Sequence, residues 1–414
     1  MSDLLLKNCR QLLTVAEKAD DLIGFFHNKS VLIKNERIAA IGTMEEIFGD
    51  DPVDDVQVID CSQHVVMPGY VDSHTHLIFG ESRVDEYAAS LTMEPDQIKQ
   101  VVSRLGLESS IYSTTHASDE ELLQSSLAKL NRMLQSGTTT VEIKSGYGID
   151  KIHELRQLRI ARKLQALAPQ TILATYLGAH YYDTAMGKSA YIDFMIREVM
   201  PVIQAEDLAD FCDIWVDFGY YTAEDALKLL SAAQQFGMRP SLHTECYSAI
   251  GGAKAAAELG AANAGHLNYL SPEDAARLAQ AGVVGIVLPG TDFSVNHKKP
   301  FDPGFMVEAG MTLAIATNLN PGNWIESMPI AMTLACRNHK MTVEEAIRGA
   351  TLNGAKALAI ESDFGSLEVG KFADIQILKA DSYKNCVYKF GVNELELVIK
   401  KGQVVFDTNG ARSN

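Results

Sequence analysis

The sequence predicts a (β/α)8 TIM barrel carrying a small β-sandwich domain assembled from both termini. Three observations carry that expectation. Strand-like runs alternate with helical runs from residue 65 to residue 350, the pattern of a parallel sheet wrapped by helices. The strand-like runs number eight, the count that closes such a barrel. Both flanks show short β patterns separated by turn residues instead.

In chain order, residues 1–64 carry SVLIKNERIAAIG and VQVIDCS, the first contribution to the β domain. Residues 65–362 form the expected barrel. Its strands are GYVDSHTH from Gly69, TTTVEIKSG from Thr138, TILATYLGAH from Thr171 and FCDIWVDFG from Phe211. RPSLHTE from Arg239, ANAGHLN from Ala262, VVGIVLPG from Val283 and TLAIATNLN from Thr312 complete the set. Each is short, rich in Val, Ile, Thr or Leu, and followed by a loop and a helical pattern. Helices are expected in DEELLQSSLAKLNRMLQSG, DKIHELRQLRIARKLQALA, EDALKLLSAAQQFG, GGAKAAAELG and SPEDAARLAQAG. Several close on Gly, the residue favoured just past a helix end. Residues 363–414 return to β patterns in GSLEVGKFADIQIL and LELVIKKGQVVF.

Composition narrows the function classes. A chain of 414 residues with 47% hydrophobic and 21% charged residues fits a soluble globular protein with a large core. The net charge of −17 argues against nucleic acid or an anionic membrane as partner. The first residues lack the basic and apolar regions of a signal peptide, and no window reaches the length of a membrane span. Six scattered cysteines without a CxxC pair read as reduced thiols of a cytoplasmic protein.

The chemistry is concentrated at strand ends, where a barrel places its active site. His74 and His76 lie two apart at the end of the first strand, so their side chains point the same way and can reach one metal ion. His180, His243 and His266 end three other strands. Imidazole is a good ligand for Zn or Fe, which makes a metal-dependent hydrolase the leading expectation. Asn318 stands where such a site would carry a carboxylate.

The order of these residues, with MPGYVDSHTHL near the start and TLNGAKALAI…FGSLEVGKFADIQIL near the end, resembles the amidohydrolase superfamily over nearly the whole chain. Within it, EIKSGYG (142–148), LGAH (177–180), LPG (288–290) and NPG (320–322) resemble the imidazolonepropionase family, which opens the ring of 4-imidazolone-5-propanoate to give formiminoglutamate. The resemblance implies that His74, His76 and His243, with Asn318, hold one divalent metal, Zn or Fe. It implies that His180 touches the ring and that His266 orients or deprotonates the attacking water. Arg83 and Tyr147 would hold the substrate carboxylate, with Asn320 and the Gly322 amide completing that pocket. Independently, an Arg fork suits a carboxylate and a phenol adds a donor. Strand four carries Asp217 and no Lys for carboxylation, which favours one metal over two. A homodimer acting on a small carboxylated substrate is expected.

The chain departs from the family pattern at several positions. Asn318 replaces an Asp that ligates the metal and accepts a proton. The segment after His243 reads Thr244-Glu245-Cys246, so Cys246 occupies a substrate-contacting position. A Gly-rich loop after strand one is replaced by DQIKQVVSRLGLESSIYS, and Gly265 stands where the family has an acid. Together they favour natural divergence over a single engineered change. Two other readings stay open: another mononuclear amidohydrolase, such as a deaminase or iminohydrolase, and a catalytically weakened homologue that binds small molecules. Lys144 is expected in a supporting role, and Cys246 lacks the partners of a reactive thiolate. The remaining histidines, His27, His64, His116, His153, His297 and His339, are expected at the surface.

Overall fold

The computed structural model describes residues 3–49 and 56–408; residues 1–2, 50–55 and 409–414 of the expected β segments lie outside them. Eight strands form one parallel sheet in sequence order: Tyr70–Asp72, Thr138–Lys144, Thr171–Ala179, Phe211–Val216, Arg239–Thr244, Asn263–His266, Val284–Val287 and Leu313–Ile315. All eight expected strands are present, followed by the expected helices. The sheet closes on itself just beyond the first and last strands. There Asn318 N donates to His74 O (3.0 Å) and His76 N to Leu319 O (2.8 Å). Thr317 donates through its amide and its hydroxyl to the two oxygens of Asp72, at 3.0 and 2.6 Å. Closure therefore fixes the HxH segment and Asn318 relative to each other.

The strands are buried along almost their whole length, because helices cover the outside and side chains fill the inside. Outward-facing Val141, Ile143, Cys212 and Ile214 join the main apolar core. The helices are locally encoded. Asp119–Leu134 begins at a Ser118–Glu121 capping box and Ala223–Gln235 at a Thr222–Asp225 one, each satisfying otherwise orphaned amides. The unusual segment after strand one folds into three short helices, Val84–Ser90, Pro95–Val101 and Gly106–His116.

The flanks supply two further sheets. One has four strands, in the order Arg37–Gly42, Lys29–Lys34, Asp3–Cys9 and Val56–Asp60. The other has six, in the order Gln403–Asp407, Leu395–Lys400, Ile375–Leu378, Val65–Pro68, Gln11–Leu13 and Phe25–Phe26. Leu6, Leu12, Val31, Ile33, Val66, Ile375 and Ile399 pack in a core of their own. Val65–Pro68 pairs antiparallel with Ile375–Leu378, so the residues expected to open the barrel belong to this sheet. The barrel starts after the Gly69 turn, where a Cβ would strike the Thr139 side chain.

Candidate active site

Four imidazoles meet at the C-terminal end of the barrel. His74 Nε2 lies 3.0 Å from His243 Nε2, and His76 Nε2 lies 3.3 Å from the same atom. His266 brings a ring nitrogen within 4.8 Å of those of His74 and His243. Burial, reinforced by neighbouring cationic groups, pushes His74 and His76 well below the ordinary histidine value. Burial does the same to His266. Neutral imidazoles are what a metal needs.

The inward face of the barrel beneath them is polar and charged. Alternation places Glu142 and Lys144 of strand two, Asp213 of strand four, and Ser241 and His243 of strand five inside. Asp213 accepts from the His243 amide and ring Nδ1, both at 3.0 Å. That bond places the proton on Nδ1 and leaves Nε2 with its lone pair facing the other imidazoles. Lys144 Nζ bridges Glu142 (2.8 Å) and Asp213 (2.9 Å). Burial would raise the Asp213 carboxyl, but His243 and Lys144 outweigh it and hold the group well below its usual range.

Asn318 sits against this cluster with a left-handed backbone (φ 50°). Its Nδ2 donates to Thr291 Oγ1 at 2.8 Å, while its Oδ1 is buried without a partner. An unpartnered buried acceptor costs ~1–3 kcal/mol, so the amide is positioned for a ligand or a donor. Glu245 and His266 also have positive φ, 54° and 77°; such strain concentrates at functional strand ends. The donor set fits a divalent metal: imidazoles with converging nitrogens, one of them oriented by a carboxylate, beside a free amide oxygen.

One cavity of about 1210 Å³ opens onto the cluster. Every residue singled out for substrate contact lines it: Arg83, Tyr147, His180, Cys246, Asn320 and Gly322. His180 Nδ1 lies 3.2 Å from Gly146 O, so that nitrogen donates and Nε2 is an acceptor. Its ring stacks on His76, with centroids 4.9 Å apart, and burial lowers its pKa to about 3. Arg83 Nε is buried without a partner. Burial raises Tyr147, against the pull of the Arg83 charge, so the phenol stays a donor.

Several placements differ from the sequence expectation. The Gly322 amide donates to Asn320 Oδ1 at 2.8 Å, and Asn320 Nδ2 donates to Asn318 O at 2.7 Å. These groups brace the turn, and of the arginine fork Nη1 lies 3.7 Å from Glu86 Oε1 while Nε keeps no partner, so Nε and the phenol are the donors left to a ligand. His297 and His339, expected at the surface, line the cavity. His339 is buried and stacked on Phe301 at 3.7 Å, and His297 Nε2 donates to Cys246 O at 3.0 Å. The chain after strand seven folds back over the barrel mouth and carries His297 inward, while His339 ends the helix Met328–His339 that follows strand eight and meets that returning chain at Phe301. Cys246 is buried and its thiol is pushed up by that burial, which opposes thiolate formation. Glu245, raised to about 7 by burial, accepts from the Ala253 amide and does not line the cavity. Sequence reasoning missed Trp215 and Tyr220, whose rings stack at 3.6 Å in the cavity wall. It also missed Asp213, although a lone Asp amid an apolar strand was a readable signal.

Similarity to known proteins agrees with this geometry. The Amidohydrolase family model matches residues 65–405. The imidazolonepropionase of Alkaliphilus metalliredigens is 36% identical over 98% of this chain and 99% of its own length. That of Geobacillus kaustophilus is 37% identical over 98% of each. Among solved structures, a zinc-bound adenosine deaminase from Xanthomonas campestris superposes with a TM-score of 0.73 at 17% identity, over 100% of this chain and 97% of that one. A Xaa-Pro dipeptidase gives 0.71 at 19% identity over 98% and 100%. At such identities the structures establish the fold alone. The two full-length relatives above 30% identity, with the family model across the barrel, place the chain among the amidohydrolases, in the imidazolonepropionase family.

Proposed function

We propose that this chain hydrolyses a ring C–N bond of a small cyclic amide bearing a carboxylate. The best-supported reaction is the opening of 4-imidazolone-5-propanoate to N-formimino-L-glutamate, a step of histidine degradation. The observation that carries it is one cavity holding both an anion-binding pair, Arg83 and Tyr147, and the imidazole cluster. His74, His76, His243 and Asn318 Oδ1 would hold a single divalent ion, Zn or Fe. Such an ion, when bound, supplies Lewis acidity that brings water towards a pKa of ~7.

The chain's own residues do the rest. The Arg83 fork and the Tyr147 hydroxyl anchor the propionate and orient the ring. His180 offers its Nε2 lone pair to a ring N–H. His266, neutral at rest, takes a proton from the attacking water and returns it to the leaving ring nitrogen. Asn318 can take no proton, so this proton transfer rests on imidazole alone, and the reading is of a slow enzyme. Among the described residues no helix is long and apolar enough to cross a membrane and the cysteines are free, which supports a reducing compartment. Exposed Tyr388, Phe390 and Val392 offer apolar material for a homodimer; light scattering checks that state.

The decisive experiment is elemental analysis of the purified protein beside an assay on imidazolonepropionate. Up to one bound metal with slow ring opening is expected. A fully metallated protein that leaves the substrate intact would overturn the assignment.

A further inference from the structure

The EIKSGYG segment contributes Tyr147 to the cavity, yet its two charged residues, Glu142 and Lys144, point the other way, into the barrel. Both are buried to within 2% exposure. Isolated buried charges are costly, so their presence demands a use. Their bonds run to both halves of the imidazole cluster. Glu142 Oε2 accepts the amide of Thr75, the residue between His74 and His76, at 3.0 Å. Thr75 Oγ1 donates to Glu142 O at 2.7 Å and Lys144 N to Thr75 O at 3.0 Å. From Glu142 Oε1 the chain of contacts continues through Lys144 Nζ to Asp213 Oδ2, and from Asp213 Oδ1 to the ring and amide of His243. Ser241 Oγ lies 3.2 Å from Asp213 Oδ2 and 2.6 Å from Asn263 Oδ1, its one proton shared between them.

All four carboxylate oxygens accept hydrogen bonds, and Lys144 Nζ lies between the two acids. We propose that Glu142, Lys144 and Asp213 form the positioning frame of the metal site, holding the HxH segment through Thr75 and His243 through its Nδ1. The proposal rests on the metal reading given above.

The test is metal affinity, measured by competition of Zn against a chromophoric chelator for the parent, Asp213→Asn and Glu142→Gln. Both substitutions keep shape and remove charge. Outer groups that orient metal-binding histidines typically contribute 10–100-fold in affinity. We expect losses of that order for Asp213→Asn and a smaller but clear loss for Glu142→Gln. The zinc-induced rise in melting temperature is measured in parallel, since it reports binding even where a variant is less stable without metal. Ser241→Ala, a milder change on the same carboxylate, covers the case in which the others do not fold, and should weaken zinc binding slightly. Folded variants with the parent's affinity and the parent's zinc-induced rise would make the frame purely structural and overturn the inference. A parent that binds neither Zn nor Fe would overturn the metal reading itself, a separate and distinguishable failure.

Discussion

Asn318 and Arg83 divide the site's chemistry between its two ends. An aspartate at position 318 would add a charge and a proton acceptor, and Thr291 Oγ1, which now accepts from Asn318 Nδ2, can rotate its hydroxyl to donate instead. General-base groups contribute roughly 10²–10⁴-fold. Asn318→Asp should therefore raise both metal occupancy and kcat, read by elemental analysis and steady-state kinetics with added metal. No gain would show that Cys246 and the altered mouth have moved the pocket beyond that one change. Arg83 acts remotely from the bond that breaks, so Arg83→Ala should raise KM far more than it lowers kcat. Hydrogen bonds to charged groups contribute ~1.5–3 kcal/mol, roughly tenfold to hundredfold in KM. An unchanged KM would remove Arg83 from the carboxylate pocket.

At the scale of elements, the turn after strand eight sets where that arginine lies. A Cβ on Gly322 would sit 1.8 Å from Arg83 Nη2 and 2.5 Å from Cζ, while the Arg83 amide donates to Pro321 O at 2.9 Å. The backbone of the two turns is tied together, so only the guanidinium can yield. Gly322→Ala should reproduce the KM defect of Arg83→Ala with little loss of thermal stability, and the double variant should be no worse than either single one. Additive defects would mean that Gly322 acts on its own. The strands were readable because burial on both faces leaves short Val, Ile and Thr runs, and the HxH pair because strand alternation is local. The inward placement of His297 and His339 was not readable, since it depends on how the segment after strand seven returns over the mouth and on how helix Met328–His339, after strand eight, packs against it at Phe301. The bracing of the Gly322 amide by Asn320 escaped for a related reason: a turn's internal bonds compete with ligand contacts, and sequence alone does not rank them.

For the whole molecule, the barrel was legible in the order of its units, whereas Val65–Pro68 joined the flanking sheet because its antiparallel partner, Ile375–Leu378, lies some three hundred residues away. Long-range pairing of this kind leaves no local trace. The same holds for Lys129, an ordinary helical lysine in sequence that the fold buries. Its Nζ donates to Leu77 O at 2.9 Å and sits 3.6 Å from the Phe79 ring centre, tying helix Asp119–Leu134 to the segment just past His76. Burial lowers its pKa from 10.5 to about 7, with Glu326 only partly opposing. Between those two values the unfolded chain holds a proton that the folded chain does not, so this group makes stability rise with pH across the window. Below it both states are protonated and the cost of a buried charge is constant. Lys129→Met removes the titration while keeping the apolar stem. Chemical denaturation of parent and variant near each end of the window should show the parent gaining on the variant as pH rises. A pH-independent difference would mean that the ammonium stays charged in the fold, held by the Phe79 ring and the Leu77 carbonyl.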